Sequence, residues 1–113
     1  MDYYLSRGLA FDKVSNFPKA EIDYKYYLKI NPHSPEATYN FGLIEYHAEK
    51  YENAESLFSK VIQMEPKNRL AFFYRGVVRF KMGQKDEGCK DIETCKKLGY
   101  TAGYNKMKDN CKY

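Results

Sequence analysis

The sequence predicts an all-α repeat fold: three helix-turn-helix units followed by a C-terminal closing helix, seven helices in one domain. Three observations predict it. A shift of 34 residues superimposes Gly8, Gly42 and Gly76, and the same shift aligns Ala20, Ala54 and Gly88, then Tyr24, Phe58 and Ile92. It also brings Tyr27 onto Val61 and Cys95, and Pro32 onto Pro66. Between these landmarks apolar residues recur at three- and four-residue spacing, which is the period of a half-buried helix. The length, 113 residues, suffices for one modest continuous core.

Taken in order, the pattern places helices near 2–14, 17–30, 35–49, 51–64, 69–82, 85–98 and 102–112. The repeats run 1–34, 35–68 and 69–102, with the capping helix at 102–112, all within a single domain 1–113. Ser34 and Pro35 form a helix start, with a capping hydroxyl before a residue whose missing N–H costs nothing in the first turn. Asn68 and Thr101 can cap in the same way, Gly99 suits a left-handed helix end, and Pro32 and Pro66 stand just past the second helices. A mid-helix glycine costs about 1 kcal/mol against alanine, so three at one spacing imply close backbone approach, with Ala20 and Ala54 facing them.

Composition removes several function classes. Hydrophobic residues at 43% and charged residues at 30% are globular values, and no apolar run reaches the roughly 18 residues a membrane span needs. There is no glycine-rich phosphate loop, no helix-borne His/Glu metal motif and no nucleophile spaced from a base, so neither enzyme nor cofactor chemistry is expected. No Cys-x-x-Cys or mixed Cys/His set suggests a metal; His33 falls in a turn and His47 on a rim. Residues 69–113 hold eleven Lys/Arg against five Asp/Glu, whereas residues 1–68 hold eight against ten. The basic residues of that half spread over several helix faces, which argues against nucleic acid and leaves acidic protein segments as possible partners.

The residues Asn40-Phe41-Gly42, Tyr46, Tyr51, Ala54, Phe58 and Pro66 resemble the tetratricopeptide repeat, and the resemblance covers residues 1–102. The third unit departs from it, with Lys85 for an aromatic, Gly88 for alanine and Tyr100 for proline, as suits the end of an array. The resemblance implies a right-handed superhelical solenoid whose first helices line a concave groove. Their groove positions hold Leu5 and Leu9, then Tyr39, Leu43, Tyr46 and His47, then Leu70, Phe73, Val77, Phe80 and Lys81, with Asp2, Asp12, Lys13 and Glu36 toward the edges. An apolar centre with a charged rim suits protein recognition.

Members that hold the acidic tail of heat-shock chaperones do so with a two-carboxylate clamp of Lys, Asn and Arg. At those places this chain has Leu5, Leu9, Asn40, Leu70 and Tyr74, so only Asn40 matches and no chaperone clamp is expected. The groove is expected to accept an apolar or aromatic peptide or helix, in an adaptor or scaffold role. The alternative is a self-associating segment of a longer scaffold, a homo-oligomer whose concave wall receives a neighbouring copy.

Two further expectations come from deviations in the repeat. Arg7 and Arg75 each lie sixteen residues before an aspartate, Asp23 and Asp91, while the same places in the middle unit hold Phe41 and Leu57; charge matched with charge implies contact across each hairpin. Cys89 and Cys111 stand equidistant from a turn near Tyr100 and can meet if the last two helices are antiparallel; a bond closing that loop would contribute roughly 3 kcal/mol. Cys95, at a core position, is expected to be a buried thiol. Met1–Arg7 lacks the basic cluster and apolar stretch of a signal peptide, which predicts a cytoplasmic chain as it stands; a bonded Cys89–Cys111 pair with a missing upstream segment predicts an exported one.

Overall fold

The computed structural model describes residues 17–111. Six α-helices follow one another: α1 Phe17–Ile30, α2 Pro35–His47, α3 Tyr51–Met64, α4 Arg69–Lys81, α5 Lys85–Lys97 and α6 Thr101–Met107, ending in a 3-10 turn at Lys108–Cys111. The helix expected at 2–14 lies outside the described residues, so the count here is six instead of seven. None of the described helices is long and apolar enough to cross a membrane.

Two kinds of turn alternate along the chain, each with its own chemistry. Between hairpins, Ser34 accepts from the Ala37 N–H at 3.2 Å and Asn68 from the Ala71 N–H at 3.0 Å, each satisfying a donor that the helix start would otherwise leave open. Within hairpins the chain reverses through three residues with a left-handed middle one: Glu49 at φ 63 and Gly83 at φ 80. There the N–H of Lys50 reaches the Glu45 carbonyl at 2.8 Å, and that of Gln84 reaches Arg79 at 2.8 Å, the Schellman closure of a helix end.

The link from α5 to α6 uses this second kind. Gly99 sits at φ 102 and the Tyr100 N–H meets the Cys95 carbonyl at 2.9 Å. The third unit thus ends in the tight turn used inside a hairpin, without the proline turn used between hairpins. Tyr100 consequently occupies the cap position, with no side-chain capping bond, and Thr101 is already helical, contrary to the expectation that Thr101 caps. The closing helix is also shorter than the expected 102–112. Asp109 and Asn110 compete with helical hydrogen bonding, and the chain tightens into 3-10 geometry from Lys108.

Packing explains how the groove arises. The first helices α2, α4 and α6 touch one another in succession, while α3 and α5 make no such contact. First helices therefore form an inner row and second helices an outer one. Three apolar clusters fill the seams: Ala20, Tyr24, Ala37, Phe41 and Ile44; then Ala54, Phe58 and Val78; then Phe73, Val77, Ile92 and Cys95. The Cys95 thiol is buried, and burial first, then the charges of Asp91 and Glu93, push it up to about 11.

The glycine positions differ from one hairpin to the next. A Cβ on Gly76 would stand 2.9 Å from the Gly88 carbonyl oxygen, and one on Gly88 would stand 2.9 Å from the Gly76 carbonyl oxygen, so α4 and α5 meet backbone to backbone. At Gly42 the nearest group is the Phe58 ring at 2.8 Å, one turn beyond Ala54. Gly76→Ala should therefore lower unfolding stability by about 2 kcal/mol or more, because backbone cannot swing aside as a side chain can. Urea denaturation measures this, and an unchanged midpoint would contradict the close approach.

Candidate binding groove

Asp91 on α5 is 3% exposed and receives three charge-assisted hydrogen bonds. Arg75 donates two, Nε to Oδ2 at 2.9 Å and Nη2 to Oδ1 at 2.8 Å; Arg79, one turn on, donates Nη1 to Oδ2 at 2.9 Å. Both arginines also reach back to α3, Arg75 to the Ser59 hydroxyl at 3.3 Å and Arg79 to Glu55 at 2.8 Å. Side chains from α3, α4 and α5 are thereby joined through one face of α4. In the middle unit Phe41 and Leu57 pack in one apolar cluster. Arg7 lies outside the described residues. Sequence reasoning missed Arg79, Glu55 and Ser59, although the four-residue step from Arg75 to Arg79 places both arginines on one helix face.

Shifted back by 34, the Arg79–Glu55 contact falls on Glu45 and Glu21, so a carboxyl group replaces the guanidinium. Glu45 is 2% exposed. Burial, then a hydrogen bond to Glu21 and its charge, push Glu45 up to about 7. Burial also acts to raise Glu21, but the hydrogen bonds from Glu45 and Lys50 outweigh it and hold Glu21 below its ordinary value; Lys50 Nζ lies 2.6 Å from it. A proton on Glu45 removes one of two like charges, and Glu45 Oε2 is buried without a hydrogen-bond partner.

With α4 fixed on that side, its other face meets α2 and α6 around a concavity of about 570 Å³. Tyr46, His47, Phe73, Val77, Phe80 and Lys81 of the expected set line it, joined by Tyr74, Lys106, Met107 and Asn110. Phe73 and Val77 are 5% and 8% exposed, so they form the floor while also serving the core. Phe80 is half-buried; His47 and Lys81 are exposed at the rim. Tyr39 and Leu43 stand beside the concavity, against the cluster built on Phe58. Leu70 is elsewhere: in the first turn of α4, it lines a separate surface depression with Glu65 and Pro66. Leu5 and Leu9 lie outside the described residues. Lys106, Met107 and Asn110 had no repeat partner to reveal them, because α6 starts 32 residues after α4.

The C-terminal wall is tied down twice. Tyr100 meets Phe73 edge-on at 5.3 Å between ring centroids, and Cys89 on α5 is disulfide-bonded to Cys111, with Cα atoms 5.6 Å apart and a sequence separation of 22. Closing a loop of that length restricts the unfolded chain by roughly 3 kcal/mol. It also holds the 3-10 turn that carries Asn110. Among the described residues no group of His, Cys, Asp or Glu could hold a metal ion.

Stacked helical hairpins, an inner row of first helices and a concave aromatic face define an all-α solenoid of the protein-interaction repeat class. No family model matches the chain. The human protein described as tetratricopeptide repeat protein 6 is 30% identical over 107 residues, which is 92% of this chain and 21% of that protein. The chain thus spans about a fifth of the curated relative. Among solved structures, the second tetratricopeptide domain of human RPAP3, in complex with an HSP70 peptide, superimposes with a TM-score of 0.89 at 23% identity, covering 97% of this chain and 93% of that one. The first and second such domains of Spaghetti (RPAP3), each bound to an HSP90 peptide, give 0.88 at 20% and 0.81 at 25%, covering 95% and 84% of this chain and 86% and 88% of theirs. The chain belongs to the tetratricopeptide repeat family.

Two measurements check the charge networks. Asp91→Leu leaves Arg75 with the Ser59 hydroxyl alone and Arg79 with Glu55, and should cost about 3 kcal/mol, whereas Arg75→Leu leaves Asp91 with Arg79 and should cost less; the reverse order in urea unfolding would contradict the network. Glu45 binds its proton more tightly folded than unfolded, where its value is 4.5. Its contribution is therefore fully present below about pH 4.5 and lost as pH rises through about 7. Glu21, shifted down, contributes in the opposite sense, and its loss falls below pH 4.5. Wild type should lose stability between about pH 5 and about pH 8, and Glu45→Gln should abolish most of that loss. Equal pH dependence in both would contradict a protonated Glu45 in the fold.

Proposed function

We propose that this chain is a non-enzymatic protein-interaction module, an adaptor or scaffold element that binds an apolar or aromatic peptide segment in the concavity between α2, α4 and α6. The supporting observation is the lining itself. Phe73, Val77 and Met107 make an apolar floor, Phe80 is half-buried beside them, and Lys81 and His47 stand at the rim. Burying one leucine- or phenylalanine-sized anchor there is worth roughly 1.5–3 kcal/mol, so two or three anchors support micromolar binding after ordering costs. Heat-shock peptides occupy the human RPAP3 and Spaghetti domains in their structures. In this chain Leu70 and Tyr74 stand where the chaperone clamp needs cations, and neither can neutralise a carboxylate.

A second reading, self-association, has one observation in its favour. Ile22, Tyr26 and Ile30 form a row at four-residue spacing on α1 and are 65%, 48% and 59% exposed. Light scattering across a concentration series separates the two, since a constant monomer mass favours the module.

The direct test is selection from a random peptide library on wild type. Phe80 suits the control because it lines the concavity outside the ring contacts that join Phe73 and Tyr39 to Tyr100, Phe58 and Tyr74; it also packs on the cluster of Ile92 and Cys95, so urea unfolding of Phe80→Ala checks that the fold persists. Selected peptides should carry leucine, phenylalanine or tyrosine anchors and bind Phe80→Ala at least about tenfold more weakly. Enrichment of acidic chain ends unaffected by that substitution would overturn the proposal.

A further inference from the structure

A second depression, of about 370 Å³, lies over α2 between the outer helices α1 and α3. Glu21 and Lys25 of α1, Phe41 and Glu45 of α2, Lys50 at the cap of α3 and Leu57 within it line the walls, and none of them lines the concavity of the inner row. A shift of 34 carries these places onto the charge network of the next unit. Glu21 falls on Glu55, Lys25 on Ser59, Phe41 on Arg75, Glu45 on Arg79 and Leu57 on Asp91. In that unit two guanidinium groups fill the corresponding space, Arg79 joining Glu55 at 2.8 Å and Asp91 at 2.9 Å. Between α1 and α3 the acceptor matching Glu55 is kept as Glu21, while phenylalanine and glutamate replace both arginines.

Glu45 is 2% exposed, and among the described residues its Oε2 has no hydrogen-bond partner. A buried carboxyl oxygen without a donor is costly, and native structures seldom keep one. The nearest cation, Lys50, is held by Glu21 at 2.6 Å, and its side chain is half exposed, so it can swing into water at little cost.

We propose that this outer depression binds the guanidinium of an arginine side chain presented by a partner protein, which displaces Lys50 from Glu21 and donates to Glu21 and Glu45 together, as Arg79 donates to Glu55 and Asp91 one unit on. The site is independent of the groove reading above. A planar fork spans two carboxyl groups with separate N–H edges, while a compact ammonium such as that of Lys50 meets one. The alkyl stem and flat face of the ligand need apolar neighbours, which Phe41 and Leu57 supply. Arg75 packs in that way in the next unit, 5.4 Å from the centroid of the Phe72 ring.

Protons compete with such a ligand. Glu21 and Lys25 from α1 and Lys50 from α3 are the charged groups that face Glu45. Burial, then Glu21, push Glu45 up to about 7, and the two lysines act the other way. A bound cation favours the ionised carboxyl, so binding tightens as pH rises through about 7 and releases a proton. Arginine keeps its charge throughout. Fold stability runs in the opposite sense over that range, so loss of folded protein cannot imitate the effect.

The test is a nuclear magnetic resonance titration of the full chain with capped, glycine-flanked peptides that differ only at a central arginine, lysine or citrulline. The arginine peptide should give saturable amide shifts at Glu21, Glu45 and Lys50; lysine should bind at least about fivefold more weakly and uncharged citrulline at least about tenfold. Glu21→Gln should weaken the arginine peptide about fivefold or more while circular dichroism shows the chain folded, and Lys50→Ala should tighten it. Affinity should rise about tenfold from about pH 5.5 to about pH 8 in wild type and stay level in Glu45→Gln. Equal binding of arginine and citrulline peptides, or an affinity indifferent to Glu21→Gln, would overturn the proposal. Methylguanidinium, which lacks the stem, should bind more weakly than the arginine peptide, and equal affinity would overturn the assignment to a side chain. Shifts confined to Phe73 and Phe80 would overturn the outer site and leave the groove reading standing.

Discussion

Asp91 is the residue on which the geometry of the groove depends. A carboxylate 3% exposed is tolerable only with its lone pairs filled, and two arginines one turn apart on α4 fill them. Those arginines extend the same contact to Ser59 and Glu55 on α3. One face of α4 is therefore committed to the outer helices. The opposite face, with Phe73, Val77 and Phe80, is left to the inner side, where α2 and α6 flank it. The Gly76–Gly88 approach acts beside this network by letting α4 and α5 come close enough for Arg75 to reach Asp91 with both of its nitrogens.

Repetition makes the fold legible in the sequence itself. A 34-residue self-match reports on a seam built again and again, so small residues at one spacing disclose helix contacts directly. What repetition hides is anything that bridges two units or departs from the period. Arg79–Glu55 joins units across 24 residues and aligns with two carboxylates in the first unit, so no pairing pattern marks it. The α5–α6 turn copies a hairpin turn instead of a between-hairpin turn, which removes Thr101 from the cap and puts Lys106, Met107 and Asn110 beside the groove. Tyr39, Leu43 and Leu70 show a different limit. Groove positions follow from a helix wheel, but which of them line the concavity is decided by ring size and by distance from the helix start, and only packing reveals that.

Function follows from what the aromatic wall contains and what it lacks. Relatives of known structure hold heat-shock peptides, and this chain shares their architecture at 20% to 25% identity. Identity that low transmits the scaffold, while ligand choice lies with a few groove side chains. Here those are leucine and tyrosine where cations would bind carboxylates. Tyrosine combines a rigid apolar face with a hydroxyl donor, and Tyr46 and Tyr74 line the concavity together with Lys81 and Lys106.

If the inner row of helices is the ligand surface and the outer row is the scaffold, the two rows must respond differently to a bound peptide. Amide chemical-shift mapping of the labelled chain with a peptide selected from the random library tests this residue by residue. Shifts should concentrate at Tyr46, Phe73, Tyr74, Val77, Phe80 and Met107, with α3 and α5 little changed. Shifts concentrated on α1, at Ile22, Tyr26 and Ile30, with the concavity silent, would contradict it.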